Sequence, residues 1–433
     1  MAHIDAADTK LDIAGTLPGV TVLEDARLRI TARGRNPANL FMVMGVALPQ
    51  SRSYVLNSNL TKHGNDWVFT GLNGRIGGSD IAGTLAVTIR EPRLLLTATL
   101  ATRTLDIIEV APFIGYDPDL IEAKGAAGVI TQVGGMPRLL PDTPLRVEAL
   151  KNFGADVRYT VRTVRAMSVP ISNIALTLGL HDNLLKLSPL TFEMARGHVA
   201  SDITIDARKP SVFTDYDIRL SPTPMGLLLS SWGVEEAGTS GTVKARIKMT
   251  GTGDSPHDSP STANGRIAII LPRGSFWARN IQLSELDIGT FAQRMFQGKL
   301  KEPVQINCGL IGFTVRGGIA AADPILIDTQ KNVMLGRGGF SFWNEAIDLA
   351  FRADSKKFSL FAGQSPIGIG GYFATPGISP ISAQLVERAG AAIGLGLIGT
   401  PLASVLAFVD AKAAACGPVL QGATAVQQRT VKG

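Results

Sequence analysis

The sequence predicts a mainly β protein built of repeated antiparallel meanders, with a few short helices and a small-residue helical segment near the C-terminus. Apolar residues make up 45% of the 433-residue chain but aromatics only 6%, so Ala, Leu, Ile and Val carry the apolar content. That profile suits many thin strands better than an enzyme core anchored by aromatics. Forty-seven glycines and 24 prolines spread along the chain supply turns at short intervals. The clearest periodicity is two, the spacing of a strand with one wet face.

A first block, residues 1–143, reads as strands. Asp25 to Arg33 alternates Ala26, Leu28, Ile30 and Ala32 against polar neighbours, and three more runs follow from Trp67 to Thr102, with turns at Gly71 to Gly78 and Glu91-Pro92. Leu105 to Ile114 fits a short helical corner with Asp106 and Glu109 on its polar side. A second block, 144–250, repeats the layout. Val157, Tyr159 and Val161 alternate with Arg158, Thr160 and Arg162, and Val243, Ala245, Ile247 and Met249 alternate with Lys244, Arg246 and Lys248. Each of these strands must bury one face and present a basic face to water. The stretch Trp67 to Thr84 echoes Leu187 to Thr204, both containing Ser-Asp-Ile after a small-residue turn, as stacked meanders would.

Residues 251–265 read as a linker, rich in Ser, Thr, Pro and Gly. The region 266–433 resumes with strands and includes an expected helix at Ser284 to Phe296, with Ser284 as N-cap. It carries the Gly/Pro-punctuated run Ser365 to Pro380 and the uncharged segment Ala389 to Val409. The latter is long enough to span a bilayer. Pro401 and the glycines Gly390, Gly394, Gly396 and Gly399 favour instead a close-packed or membrane-surface helical hairpin.

Function classes are narrowed mainly by what is missing. The net charge of +6 comes from scattered Lys and Arg, without basic runs or aromatic interleaving, so no nucleic-acid partner is expected. Gly394 to Gly399 matches GxGxxG literally, but Pro401 follows at once and no βαβ unit surrounds it. His3, His63, His181, His198 and His257 stand apart in polar or turn contexts, and no hydrolase, metalloprotease or phosphate-loop signature occurs. No catalytic residue, cofactor or metal is expected. Cys308 and Cys416 lie outside any metal-binding spacing. In an oxidising compartment they would pair, closing a loop of about 100 residues for roughly 4 to 5 kcal/mol of stability; otherwise they are buried thiols.

The C-terminal third resembles the AsmA-like proteins of Gram-negative bacteria, relatives of TamB. The resemblance rests on Gly251 to Pro256 ahead of Asn264 to Ile267, on Ile306-Asn307-Cys308 followed by Phe313 to Gly318, and on Leu326 to Thr329 leading to Gly336-Arg337-Gly338. It continues through Ser365-Pro366-Ile367 and Gly370 to Pro376 to Cys416, and the motifs around Gly74 to Gly83 and Pro189 to Asp206 extend it over most of the chain. It implies a periplasmic protein anchored in the inner membrane, whose elongated sheet curls into an apolar groove that carries phospholipid toward the outer membrane. Partners would be phospholipids, a membrane surface and envelope proteins. The groove-lining candidates are Val157, Tyr159, Val161, Val243, Ala245, Ile247 and Met249, since few aromatics are available to fill a closed core. Met1 to Asp12 carries neither the export signal nor the anchor of the family, so a truncated or late-started reading is expected. The competing reading is a structural or interaction module regulating outer-membrane protein assembly, its sheets closed as sandwiches. An enzyme would require His181, His198 and nearby acids to converge in a deep pocket.

Overall fold

The computed structural model describes residues 2–6, 8–16, 24–36, 52–90, 93–144, 153–165, 170–230, 236–277, 303–355 and 367–380. Strand-like runs that alternate in sequence pair each with the next. The N-terminal part supplies β1 (Ala2–Ala6), β2 (Thr9–Thr16), β3 (Arg27–Gly34), β4 (Tyr54–His63), β5 (Asp66–Ile76), β6 (Ser79–Ile89) and β7 (Leu94–Asp106), all antiparallel neighbours. A crossover follows, carrying 3-10 turns at Ile107–Glu109, Ala111–Ile114 and Gly125–Val129, helix α1 (Pro118–Lys124) and a separate hairpin of β8 (Thr131–Val133) and β9 (Met136–Arg138). The crossover returns the chain to β10 (Phe153–Arg165), which pairs parallel to β7.

Antiparallel addition then resumes with β11 (Ile171–His181), β12 (Leu184–Met194), β13 (Gly197–Asp206), β14 (Phe213–Pro224) and β15 (Ser240–Thr252). Next, β16 (Asn264–Leu271) and β17 (Gly274–Phe276) share one position between β15 and β18 (Val304–Arg316). The series ends with β19 (Ile319–Thr329), β20 (Asn332–Ser341), β21 (Ala346–Ser355), β22 (Ile367–Tyr372) and β23 (Thr375–Pro380). Among the described residues, 21 strands form one sheet. The two blocks and the C-terminal region are therefore continuous through backbone hydrogen bonds.

Several local expectations change. Gly71 does not begin a turn: it lies inside β5 with φ of 60°, where the register slips between Phe69 and Leu72, and the turn falls at Gly77-Gly78. Both echo hairpins exist, β5–β6 and β12–β13, but the second turns at Ala195-Arg196, so Ser79-Asp80-Ile81 opens its strand while Ser201-Asp202-Ile203 lies mid-strand. The corner after β7 consists of two 3-10 turns, and Asp106 and Glu109 face inward. Arg52 neutralises them, its Nε 2.9 Å from Glu109 and its Nη2 3.5 Å from Asp106. Residues 251–265 are not a free linker. They form a packed turn around α2 (Asp258–Ser261), with Ser255, His257, Ser259 and Ala263 buried and the Tyr216 hydroxyl donating to Ser259 Oγ at 2.9 Å. The expected helix at Ser284 to Phe296 and the segment Ala389 to Val409 lie outside the described residues.

Packing is uneven along the sheet. In β16, β18 and β19 both faces are buried: Ala268, Ile270, Leu310 and Leu326 are at most 2% exposed on one side, with Phe313 and Val315 buried on the other. Rings of Phe313, Phe340, Phe342 and Phe373 meet edge to face at 5.0 to 6.0 Å beside this core. Farther toward the N-terminus, many residues of the apolar face are only half-buried.

Candidate functional site

The register of successive strands carries one apolar row across the sheet. Leu60 of β4 lies opposite Phe69, Phe69 opposite Leu85, Leu85 opposite Ala98, and Ala98 opposite Val157 across the parallel junction. Val157 then faces Leu178, followed by Leu187, Ile203, Tyr216 and Met249. The row runs on through Gly265 to Val315, Ala320 and Phe340. Residues directly opposite on neighbouring strands share a face, so an uninterrupted apolar strip lies perpendicular to the strands. Its exposure varies along the way: Phe69, Leu85, Val157, Leu178, Leu187, Ile203 and Tyr216 keep part of their surface exposed, Leu60 and Ala98 are buried among them, and Met249, Val315 and Ala320 are buried at the far end.

The seven candidate residues divide within their own strands. Val157, Tyr159, Ala245 and Ile247 stay half-exposed on the strip. Val161 is buried with Leu105 and Val164 beneath Ile107 and Val110 of the crossover, Val243 packs with Met225 and Ile306, and Met249 belongs to the core of Phe313 and Val315. Tyr159 is not purely apolar lining. Its hydroxyl lies 2.8 Å from Thr102 Oγ1, and burial pushes the phenol's pKa up despite that bond.

The crossover packs on the same face at its start and reaches a distant turn at its far end. At its start, the carboxylate of Asp106 caps the first 3-10 turn through Ile108 N, and Ile107 and Val110 lie over the Tyr159 and Val161 side of β10. Helix α1 is set by Asp117, which accepts from the amides of Asp119 and Leu120, and by Pro118 at the first helical position. At its far end the crossover reaches the β20–β21 turn. Glu345 is wholly buried and accepts hydrogen bonds from Leu139 N at 2.6 Å and Leu140 N at 2.9 Å. Tyr116 donates to Leu139 O, and burial, with the nearby Glu345 charge, raises its pKa.

The opposite face of β13 to β15 is less basic than the sequence suggests. Asp217 is buried among cations: Arg246 Nη2 lies at 2.7 Å, Arg219 Nη2 at 2.5 Å and Lys248 Nζ at 3.8 Å. Burial raises the pKa of this carboxyl, but the hydrogen bonds from Arg246 and Arg219 outweigh it and leave the pKa below the ordinary range. Arg219 also approaches Asp202 at 3.7 Å. The aspartates come from neighbouring strands, so the alternation within β15 gave no sign of them.

His181 and His198 do not converge. His181 pairs with Asp156 at 2.8 Å near the β11–β12 turn, while His198 stands at the opposite end of β13. His257, isolated in sequence, is buried beside Asp142 and Asp258. Cys308 is wholly buried and disulfide-bonded; Cys416, Gly390, Gly394, Gly396 and Gly399 lie outside the described residues. Among the described residues no helix is long and apolar enough to cross a membrane.

A family model described as AsmA family matches residues 30–299. The AsmA family protein YhjG of Escherichia coli (strain K12) is 25% identical over 423 residues, which cover 94% of this chain and 61% of that protein. The chain thus spans about three fifths of the length of this relative. No solved structure matches. With more than half of the chain matched by the family model, over strands that carry most of the apolar strip, the chain belongs to the AsmA family.

Proposed function

We propose that the apolar strip holds phospholipid acyl chains and that the protein, without enzymatic chemistry, assists lipid transport between the membranes of the bacterial envelope from the periplasm. The family's association with that envelope supports the setting. The observation that carries the reading is the continuity of the strip together with its half-exposure. From β4 to β15 it crosses nine strand spacings, about 43 Å across the sheet. One leaflet of hydrocarbon is about 15 Å thick, so several acyl chains fit in succession. Each buried methylene contributes about 0.8 kcal/mol. Headgroups would remain at the rim, near water and the cations of neighbouring strands.

Native mass spectrometry with lipid extraction tests this on protein purified in mild detergent. Several phospholipids per chain are expected. A lipid-free chain would overturn the reading and favour a module that regulates outer-membrane protein assembly through protein contacts.

A further inference from the structure

The crossover meets the β15–β16 turn at a group of side chains that the apolar strip does not use. His257, in the turn before α2, is 4% exposed. Its Nε2 lies 2.9 Å from the carbonyl oxygen of Trp343, which can only accept, so Nε2 carries a proton. In the neutral ring Nδ1 is then a lone pair, and it points among carboxylates: Asp142 Oδ1 of the crossover is 2.9 Å away and Asp258 Oδ1 is 3.5 Å away. Asp142 Oδ1 lies off the line a ring N–H would take, so the buried Nδ1 has no hydrogen-bond partner. Two atoms bound about 2.1 Å from one ion, at 90 to 109° to each other, lie about 3.0 to 3.4 Å apart. The observed 2.9 and 3.5 Å lie just either side of that range, so one ion on the Nδ1 lone pair can reach both carboxylates. A metal-bound histidine also commonly donates its other N–H to a backbone carbonyl, which orients the ring. Arg138 grips Asp142 through Nη1 at 2.8 and 2.6 Å, but each carboxylate oxygen has a second lone pair.

We propose that His257 Nδ1, Asp142 and Asp258 bind a divalent cation, and that this ion pins the crossover to the β15–β16 turn. One imidazole and two carboxylates suit Zn²⁺ or Mn²⁺, with water completing the shell. The site joins chain segments far apart in sequence, beside the Glu345 contact that holds the same crossover.

The test titrates Zn²⁺ and Mn²⁺ into chelator-treated full-length protein by calorimetry. A His63→Ala background removes the exposed group of Glu24, Asp25 and His63, a competing metal-binding cluster. One ion per chain is expected, with affinity at least tenfold weaker in Asp258→Asn. The metal-free melting temperature of Asp258→Asn should match the parent, since among the described residues its half-exposed carboxylate has one ion pair, the one to His257 at 3.5 Å. Equal affinity in the two proteins, or no saturable binding below millimolar ion, would overturn the proposal. So would metal-independent stability that falls as pH rises through the imidazole range and vanishes in His257→Gln, which would mean a protonated histidine bridging the carboxylates.

Discussion

Individual positions on the strip do different jobs, and substitutions separate them. Val157 is half-exposed between Ala98 and Leu178, so Val157→Asp should abolish lipid recovery while shifting the urea midpoint little. Met249 is 7% exposed inside the aromatic-rimmed core, so Met249→Ala should cost about 2 to 5 kcal/mol, read as a lowered midpoint at unchanged slope. Asp217 makes a pH prediction. Its folded pKa lies below the ordinary 3.8, so its stabilisation is fully present above that value and lost as pH falls through the folded pKa. Urea midpoints of the parent and Asp217→Asn should therefore differ at pH 6 and converge as pH falls below 3.8; a constant gap would refute the ion-pair account. At this scale the inward residues were legible because period two survives in Val157 to Val161 and Val243 to Met249. Which of them are open and which are core was not, because Val161 is covered by residues from the crossover and Met249 by β18 to β21.

Among the elements, the crossover was the least legible. Its corner appeared in sequence as a short helix with acids outside, whereas Asp106 and Glu109 turn inward because Arg52, far upstream, neutralises them. No local pattern announces such a partner. Arg52→Ala should remove the guanidinium that pairs with buried Glu109, while Asp106 keeps Arg165 Nη1 at 3.5 Å, at a cost of about 3 to 5 kcal/mol, measurable by chemical denaturation. The Glu345 contact is equally long-range. In Glu345→Gln the new amide can accept only one of the two backbone donors well, which should cost about 1 to 3 kcal/mol. Hydrogen exchange at the amides of Leu139 and Leu140 should accelerate in that variant ahead of the sheet amides; unchanged protection would show that the crossover is held by other contacts. The packed turn around α2 was also misread, since Ser, Thr, Pro and Gly suit a flexible linker and a hydrogen-bonded turn alike.

Over the whole molecule, one continuous sheet with a packing gradient should unfold unevenly. Amides of β16, β18 and β19, buried on both faces, should exchange most slowly, and those of β1 to β3 fastest; uniform exchange would argue for a single cooperative core. Cys308 lies in the slow region, and Cys308→Ser should abolish any mobility difference between reduced and non-reduced samples on gels. The overall β character was readable from composition and turn spacing. The parallel step between β7 and β10, the one such pairing among the described strands, was not, because pairing direction depends on the crossover rather than on either strand. That step interrupts a series in which almost every strand meets only its immediate predecessor and successor. Inserting a hairpin into a globular core would force repacking, but in this arrangement it lengthens the apolar strip by two strand spacings, about 10 Å. Reach therefore behaves as an adjustable dimension, set by the number of hairpins much as a ruler is set by its divisions.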